Sequence, residues 1–408
     1  MNKPFDIILW GATGYTGQLV AEYLVRHADS AVRWALAGRN QAKLEKVREA
    51  LTAVSPAAAA LPILLGDSQD RASMDAIVAQ TRVVCSTVGP YALYGTPLVA
   101  SCAAQGVDYC DLTGETLWMR QNIDAFHVQA EQTGARIVHC CGYDCIPSDL
   151  GVLNLQEHAQ AVYGRFCTEI QMVMWGASGG FSGGTAASML NMLEQVQNDK
   201  DKARLLANPY NLVPEREPDW SQVDQADARF DEALQVWTGP FVMAGINTRI
   251  VRRSHALQEW RYGENFRYNE SMRMPNRAAA VGFSSGFKVG MGLTTVPQIR
   301  SLLADKMLPA PGEGPSAESR ESGYFRNRLV GSIPADGERT AVTILGSVSD
   351  NLDPGYGSTA KMLGESALCL AFDNLPKRGG ILTPASALGM TLVNRLRQAG
   401  MTFKPETL

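Results

Sequence analysis

The sequence predicts an α/β protein whose first 150 residues form a Rossmann-type, doubly wound parallel sheet. Three observations carry this. Five apolar residues (Phe5, Ile7, Ile8, Leu9, Trp10) fall in a run of six that ends at Gly11 and leads to an apolar-periodic helix from Gln18. A strand covered on both faces, a glycine turn and a helix form the first unit of such a sheet. Strand-like and helix-like stretches then alternate to about residue 150. Near Tyr163 the pattern changes to loosely alternating strands, which starts a second unit.

The first turn reads Gly11-Ala-Thr13-Gly14-Tyr15-Thr16-Gly17, a G-x-x-G-x-x-G variant of the usual dinucleotide spacing. Gly11 would permit the tight exit from the strand. Gly14 would let the backbone approach a pyrophosphate, and Gly17 would let the helix pack close. Thr13, Tyr15 and Thr16 complete the loop and the first helical turn, whose free N–H groups attract phosphate. The bland alternative is an ordinary strand–helix turn; the two flanks favour a dinucleotide.

The second strand, Arg33 to Asn40, ends where an NAD enzyme carries Asp or Glu for the ribose hydroxyls. Gly38 and Arg39 stand there instead. No carboxylate repels a 2′-phosphate and a guanidinium can pair with it, so NADP(H) is expected over NAD(H), with Arg39 and Asn40 at that end. Asn40 also reads as the N-cap of a helix Gln41–Ala53, and Arg39 otherwise as a solvated residue.

An Ala/Pro-rich connector (Ala53–Ala60) precedes strand three, Leu61–Gly66. Asp67 follows, either accepting from an adenine amino group or capping a helix. Strand four, Arg82–Val88, exits through Val88-Gly89-Pro90, a turn expected beside the nicotinamide, and Tyr91. Helix Thr96–Gln105, strand Val107–Asp111, helix Trp118–Thr133 and strand Arg136–Cys140 follow, and a turn from Gly142 to Gly151 opens another helix. Ligands of such sheets bind beyond the carboxyl ends of the strands, so the loops at Gly11, Arg39, Gly89, Asp111 and Asp144 should converge on one crevice.

Beyond Tyr163, Phe166–Trp175 reads as a half-buried strand. Gly176–Thr185 reads as a glycine-rich loop feeding a helix Ala186–Gln197, either an anion or carbonyl seat or a flexible turn. Asp199–Gly239 reads as a polar excursion with short helices. Phe241–Arg253 and Trp260–Met272 alternate loosely and predict strands of a second sheet, as do Tyr324–Ser332 and Arg339–Ser349. Leu308–Ser316 is a loop. Gly355–Asp373 predicts a helix, and Thr383, as N-cap before Pro384, opens a last helix through Arg397.

Bulk properties exclude several classes. The formal charge is −4 over 408 residues, so nothing points to nucleic acid. Phe5–Trp10 is too short for a signal peptide and carries Asp6. Eight cysteines without framework spacing suit free thiols in a reducing, cytoplasmic compartment. His139-Cys140-Cys141 with Cys145 has the residue types of a metal site, but adjacent strand residues face opposite ways, so no metal is assigned. Ala278–Ile299 is the most apolar late stretch. Lys288, serines and glycines interrupt it, so it is no transmembrane span; it reads as a core helix pair or as a surface for lipid or a partner.

Together these stretches resemble the saccharopine dehydrogenase-like oxidoreductase family. The resemblance rests on Gly11–Gly17, Ala37–Asn40, Val88-Gly-Pro-Tyr-Ala-Leu-Tyr-Gly95, Asp108-Tyr-Cys-Asp-Leu-Thr-Gly-Glu115 and Gly142–Gly151. It continues in Pro311-Gly-Glu-Gly-Pro-Ser316, Gly355–Leu363 and Gly379–Ala385, so it spans nearly the whole chain. Within the family the chain looks most like the trans-acting enoyl reductase branch. The resemblance implies a Rossmann domain (1–150), a central α/β domain with a mixed sheet for substrate and dimerisation (151–355), and C-terminal helices returning to the first domain (356–408). One departure stands out. Saccharopine-forming enzymes carry a Gly-x-Asp-Pro-Gly type segment where this chain has Gly142-Tyr-Asp-Cys-Ile-Pro, and they bind a polycarboxylate, which calls for Arg or Lys.

The resemblance implies an NADPH-dependent reductase acting on the C=C bond of an enoyl or other acyl, lipid-type substrate. By position, Tyr91 and Tyr94 are candidate donors to an enolate oxygen. Asp111, Glu115 and Asp144 are candidate proton-handling carboxylates, and Cys145 is a candidate acid if partly exposed. Two other readings stand beside it: a non-catalytic NADP-binding scaffold that docks on lipid or a synthase, and an imine or ketone reductase of the saccharopine type. Exposed central strands could also pair two copies into a homodimer.

Overall fold

The computed structural model describes residues 3–179, 188, 191–192, 194–197, 199–293 and 315–407. Two seven-stranded sheets organise them. The first is parallel, in the order β13-β6-β5-β4-β1-β2-β3. Its strands are β1 (Phe5–Trp10), β2 (Trp34–Gly38), β3 (Ile63–Leu65), β4 (Thr81–Ser86), β5 (Asp108–Asp111), β6 (Arg136–Val138) and β13 (Gly380–Leu382). Ile7, Ile8, Leu9 and Trp10 are all buried, because helices cover both faces of the sheet. β1 pairs with β2 on one side and β4 on the other, so the strand order reverses beside the glycine turn. That reversal opens the crevice in which such sheets hold ligands.

The second sheet is mixed, in the order β14-β12-β11-β7-β10-β9-β8. It contains β7 (Glu169–Ser178), β8 (Arg229–Asp231), β9 (Val236–Pro240), β10 (Arg267–Met274), β11 (Tyr324–Ile333), β12 (Val342–Asp350) and β14 (Thr402–Thr407). β7 and β10 are parallel and the other pairs antiparallel. The helix Ile146–Tyr163 leaves the crevice end of the first sheet and packs on β11, β12 and β14, joining the two cores.

The helix Gly357–Phe372 returns to the first sheet and packs on β1, β4, β5 and the helix Tyr15–His27. The approach is close. A Cβ on Gly364 would lie 2.5 Å from Tyr23 Cδ1, and the Tyr23 hydroxyl donates to Glu365 at 2.7 Å. The C-terminal segment also gives a strand to each sheet, β13 and β14, which its sequence did not announce.

Four local expectations need correction. Phe241–Arg253 is no strand; Ala244–Leu257 is a helix. Its buried arginines break the apolar period. Arg252 donates to the carbonyls of Pro209, Gln222 and Tyr268, and Arg253 to those of Leu212 and Ile381. These bonds make a charged face a core face. Trp260–Phe266 is turn, and the strand begins at Arg267. The polar excursion 199–239 holds β8 and β9. The last helix divides at Gly389, whose φ is +54°, into Pro384–Ala387 and Gly389–Gln398.

The expected anion-seat loop from Gly180 onward, part of the helix Ala186–Gln197 (its described residues are helical), the far end of the apolar stretch after Leu293 and the segment Leu308–Gly314 lie outside the described residues. Arg277–Leu293 is a single helix, and Val281, Phe283, Val289 and Leu293 on it are exposed. Among the described residues no helix is long and apolar enough to cross a membrane. All eight cysteines are buried free thiols.

Candidate active site

The glycine turn has the geometry that its spacing predicts. Gly11 adopts φ +91°, and a Cβ on it would lie 2.8 Å from Thr87 Oγ1. Thr87 Oγ1 in turn donates to Gly11 O at 3.1 Å, tying β4's exit to β1's. A Cβ on Gly17 would meet Gly11 O at 2.2 Å, so the helix can lie this close only without one. Gly14 is the N-cap, and no side chain caps the helix Tyr15–His27. The first amides of that helix, including those of Tyr15, Thr16 and Gly17, therefore have no capping side chain. With the helix dipole they make a seat for an anion such as a pyrophosphate. Thr13 O accepts from Gln18 Nε2 at 3.1 Å and shapes the loop.

At the carboxyl end of β2, Arg39 is exposed, and its guanidinium lies 5.9 Å from the Tyr94 ring centre. Tyr94, weighed as a donor near the nicotinamide, stands here with Arg39. Asn40 caps the helix Gln41–Thr52 by accepting from the Lys43 amide at 3.0 Å. Asp67 is exposed and accepts from the Gln69 amide at 3.0 Å, while Asp70 caps the following helix.

Val88-Gly89-Pro90 leads from β4 into a short helix, Tyr91–Tyr94. Tyr91 is buried. Its hydroxyl donates to Ser86 O at 3.2 Å and accepts from the Leu112 amide at 3.4 Å, and its ring stacks on Trp118. The hydroxyl thus faces the sheet. Glu115 lies on the loop after β5 and holds the amides of Tyr91 and Ala92 at 2.8 and 3.0 Å. Ser188 donates to the same carboxylate at 2.9 Å. Burial raises the Glu115 pKa, and the two amides oppose that.

Asp111 is wholly buried and spends all its acceptors on structure. Oδ2 meets Tyr109 Oη at 3.0 Å and His139 Nδ1 at 2.8 Å; Oδ1 accepts the amides of Thr113 at 3.1 Å and Cys140 at 3.2 Å. It locks the β5 and β6 loops together. Cys145 is also wholly buried, so the exposure that its acid role required is missing. Burial pushes its thiol pKa well up, and the thiol donates to Asn247 Oδ1 at 3.3 Å. Its φ of +148° is a strained value for a residue with a Cβ. Asp144, next to it, is half-buried, and its Oδ2 would lie 3.8 Å from a Cβ on Gly114. Of Asp111, Glu115 and Asp144, only Asp144 keeps a face toward solvent.

Sequence reasoning missed three residues at this edge. Ser188 is one. Asn247 is a second, on the helix read as a strand. Glu270 on β10 is the third: wholly buried, it accepts from Tyr268 Oη at 2.6 Å and Asn247 Nδ2 at 2.8 Å. Burial raises its pKa to about 7. Through Asn247 it reaches Cys145, so the second sheet supports the Asp144–Cys145 turn. Strand alternation puts Tyr268 and Glu270 on one face, and a carboxylate on an inward face was the available signal.

Comparison with known proteins agrees with this geometry. The saccharopine dehydrogenase NADP binding domain family matches residues 7–138. A Mycobacterium bovis protein named trans-acting enoyl reductase is 39% identical, the alignment covering 98% of each chain. A Mycobacterium tuberculosis relative, provisionally given the same name, is 43% identical over 100% of this chain and 98% of its own. Among solved structures, apo saccharopine dehydrogenase (L-Glu forming) from Saccharomyces cerevisiae superposes with a TM-score of 0.59 at 14% identity, covering 100% of both chains.

Proposed function

This chain belongs to the saccharopine dehydrogenase-like oxidoreductase family, in its trans-acting enoyl reductase branch, and we propose that it uses NADPH to reduce the C=C bond of an enoyl-type acyl substrate. It is an oxidoreductase with an NADP-binding domain. The observation that carries the finer reading is the charge of the crevice edge. The loops that leave β4, β5 and β6 (Thr87–Pro90, Leu112–Glu115 and His139–Cys145) hold two carboxyls, Glu115 and Asp144, and no Lys or Arg. A polycarboxylate amino acid would be repelled there, whereas an uncharged acyl thioester would not.

The chain's own groups have distinct tasks in this reading. The amides after Gly14 hold the pyrophosphate and Arg39 pairs with the 2′-phosphate. Val88-Gly89-Pro90 backs the nicotinamide, held in place by Glu115 through the Tyr91 and Ala92 amides. When bound, the reduced cofactor supplies the hydride that the acyl β-carbon receives. Asp144 then gives the α-carbon its proton. A proton donor must recharge from solvent after each turnover, and the wholly buried Asp111 and Glu115 have no face through which to do so.

The relatives' name supports a substrate delivered by a separate synthase. The exposed Val281, Phe283, Val289 and Leu293 support a docking face toward such a partner or a lipid surface, and the free thiols support a reducing cytoplasm as the place of work.

The test is NADPH consumption by the purified chain with and without an enoyl thioester, alongside Asp144→Asn. Stimulated consumption, lost in the variant while NADPH binding persists, supports the reading. Tight NADPH binding with no consumption would favour the scaffold instead.

A further inference from the structure

Tyr15, at the first position of the Tyr15–His27 helix, meets the segment that leads into the second sheet. Its hydroxyl lies 2.5 Å from Arg320 Nη1 and 2.5 Å from Pro315 O. Arg320 also donates to Pro315 O at 2.8 Å, and its guanidinium carbon is 5.7 Å from the Tyr15 ring centre. Arg320 belongs to the short helix Ala317–Glu321, which leads into β11.

The surroundings brace this contact. Arg320 O accepts from the Asp353 amide at 3.0 Å. The Asp353 carboxylate is turned to the amides of Tyr356 and Gly357, at 2.9 and 2.8 Å. Tyr356 closes the ring by packing edge-on against Tyr15, centroids 4.8 Å apart.

Among the described residues the charge of Arg320 meets no ion-pair partner, though it acts from a distance on the Asp353 carboxylate, which is spent on backbone amides. Arg33, Arg136 and Arg395 each grip a carboxylate, whereas among the described residues Arg320 has none within ion-pairing distance. It is half-buried, and its partners are a carbonyl and a phenol. A partly desolvated guanidinium with neutral partners gains when an anion comes within reach. The uncapped end of the Tyr15–His27 helix is the adjoining anion seat.

We propose that Arg320 is a cofactor-binding residue supplied by the second sheet, facing the pyrophosphate held at Gly14–Gly17, with Tyr15 as the rest that aims it. The assignment rests on the NADP-binding reading of the glycine loop. It gives the two halves of the molecule a shared ligand, so cofactor binding would also fix the second sheet against the first.

The pyrophosphate is common to NADPH and NADH, whereas the 2′-phosphate is not. Titration of the full chain with each nucleotide by intrinsic fluorescence should therefore show Arg320→Ala weakening both by the same factor, about ten- to thirtyfold, the size of one charge-assisted hydrogen bond. Arg320→Lys should restore part of the loss, and Tyr15→Phe should cost about threefold for both nucleotides. Arg39→Ala should weaken NADPH alone. Unchanged dissociation constants for Arg320→Ala, with a lowered melting temperature of the nucleotide-free protein, would make Arg320 a structural tie and overturn the proposal. If the unaltered chain binds neither nucleotide, the cofactor reading itself falls, and this assignment with it.

Discussion

Glu115 holds the backbone amide of Tyr91 at 2.8 Å, fastening the loop that leaves β5 to the loop that leaves β4. A second bond, from Ala92 at 3.0 Å, fixes the direction of the carboxylate. The loop expected to back the nicotinamide is therefore placed by a side chain from the loop that leaves the neighbouring strand. Glu115→Ala would leave the buried Tyr91 amide without its partner, at about 1–3 kcal/mol, and the half-buried Ala92 amide at less. Its melting temperature should fall by several degrees, and kcat/KM by tenfold or more. Glu115→Gln, with one acceptor left, should fall between the two. Differential scanning fluorimetry with steady-state kinetics checks this.

Gly17→Ala should disable the cofactor loop. The new Cβ would lie 2.2 Å from Gly11 O, which is backbone and cannot swing aside. Loop and helix must separate, so NADPH binding should be lost at a hundredfold or greater cost, with a lower melting temperature. Gly14→Ala, whose Cβ meets only Gly11 O at 3.4 Å, should leave the fold intact and weaken binding alone. Thermal melts and titrations of the two variants separate these effects.

Stability should fall as pH rises through neutrality. Burial raises the carboxyls of Glu270 and Asp149 to about 7. An acid whose folded pKa lies above its unfolded value keeps its proton in the native state. The resulting stability is fully present below about pH 4, the unfolded value, and is lost as pH rises through about 7. For Glu270 it is on the order of 3 kcal/mol. Melting temperatures from pH 5 to 8 should decline, and Glu270→Gln should flatten the decline; a profile as steep as the unaltered protein's would contradict this origin.

Arg39→Ala should raise the NADPH dissociation constant ten- to a hundredfold and leave that for NADH within a factor of two. An equal loss for both nucleotides would assign Arg39 to a part of the cofactor other than the 2′-phosphate.

How far the sequence reached follows from what kind of signal each element leaves. β1, the glycine turn and the helix Gln41–Thr52 were legible because burial on both faces, glycine spacing and an Asn40 cap are local signals. Ala244–Leu257 was misread because its arginines are buried and satisfied by carbonyls far away in the chain, at Pro209, Leu212 and Ile381. β13 is three residues long and is stabilised by its neighbour β6, so nothing in Gly380–Leu382 alone declares a strand. At the crevice, the loops after β4, β5 and β6 were placed from strand ends alone. Which of their side chains point outward was not legible: Tyr91, Asp111 and Cys145 turned inward to partners whose positions depend on the whole fold. Glu270, Asn247 and Arg320 come from the second sheet and its helices, and long-range packing alone brings them to the first.

The central claim is reduction of a C=C bond by hydride from NADPH. Its most direct test is incubation of the chain with an enoyl thioester and NADPH deuterated at the transferring position, followed by mass spectrometry of the acyl product. The expected product is a saturated acyl chain carrying one deuterium at the β-carbon, with the α-carbon proton drawn from solvent and its delivery lost in Asp144→Asn. Unreacted enoyl thioester in the presence of tightly bound NADPH, or deuterium delivered instead to a carbonyl or imine carbon of another substrate, would contradict it.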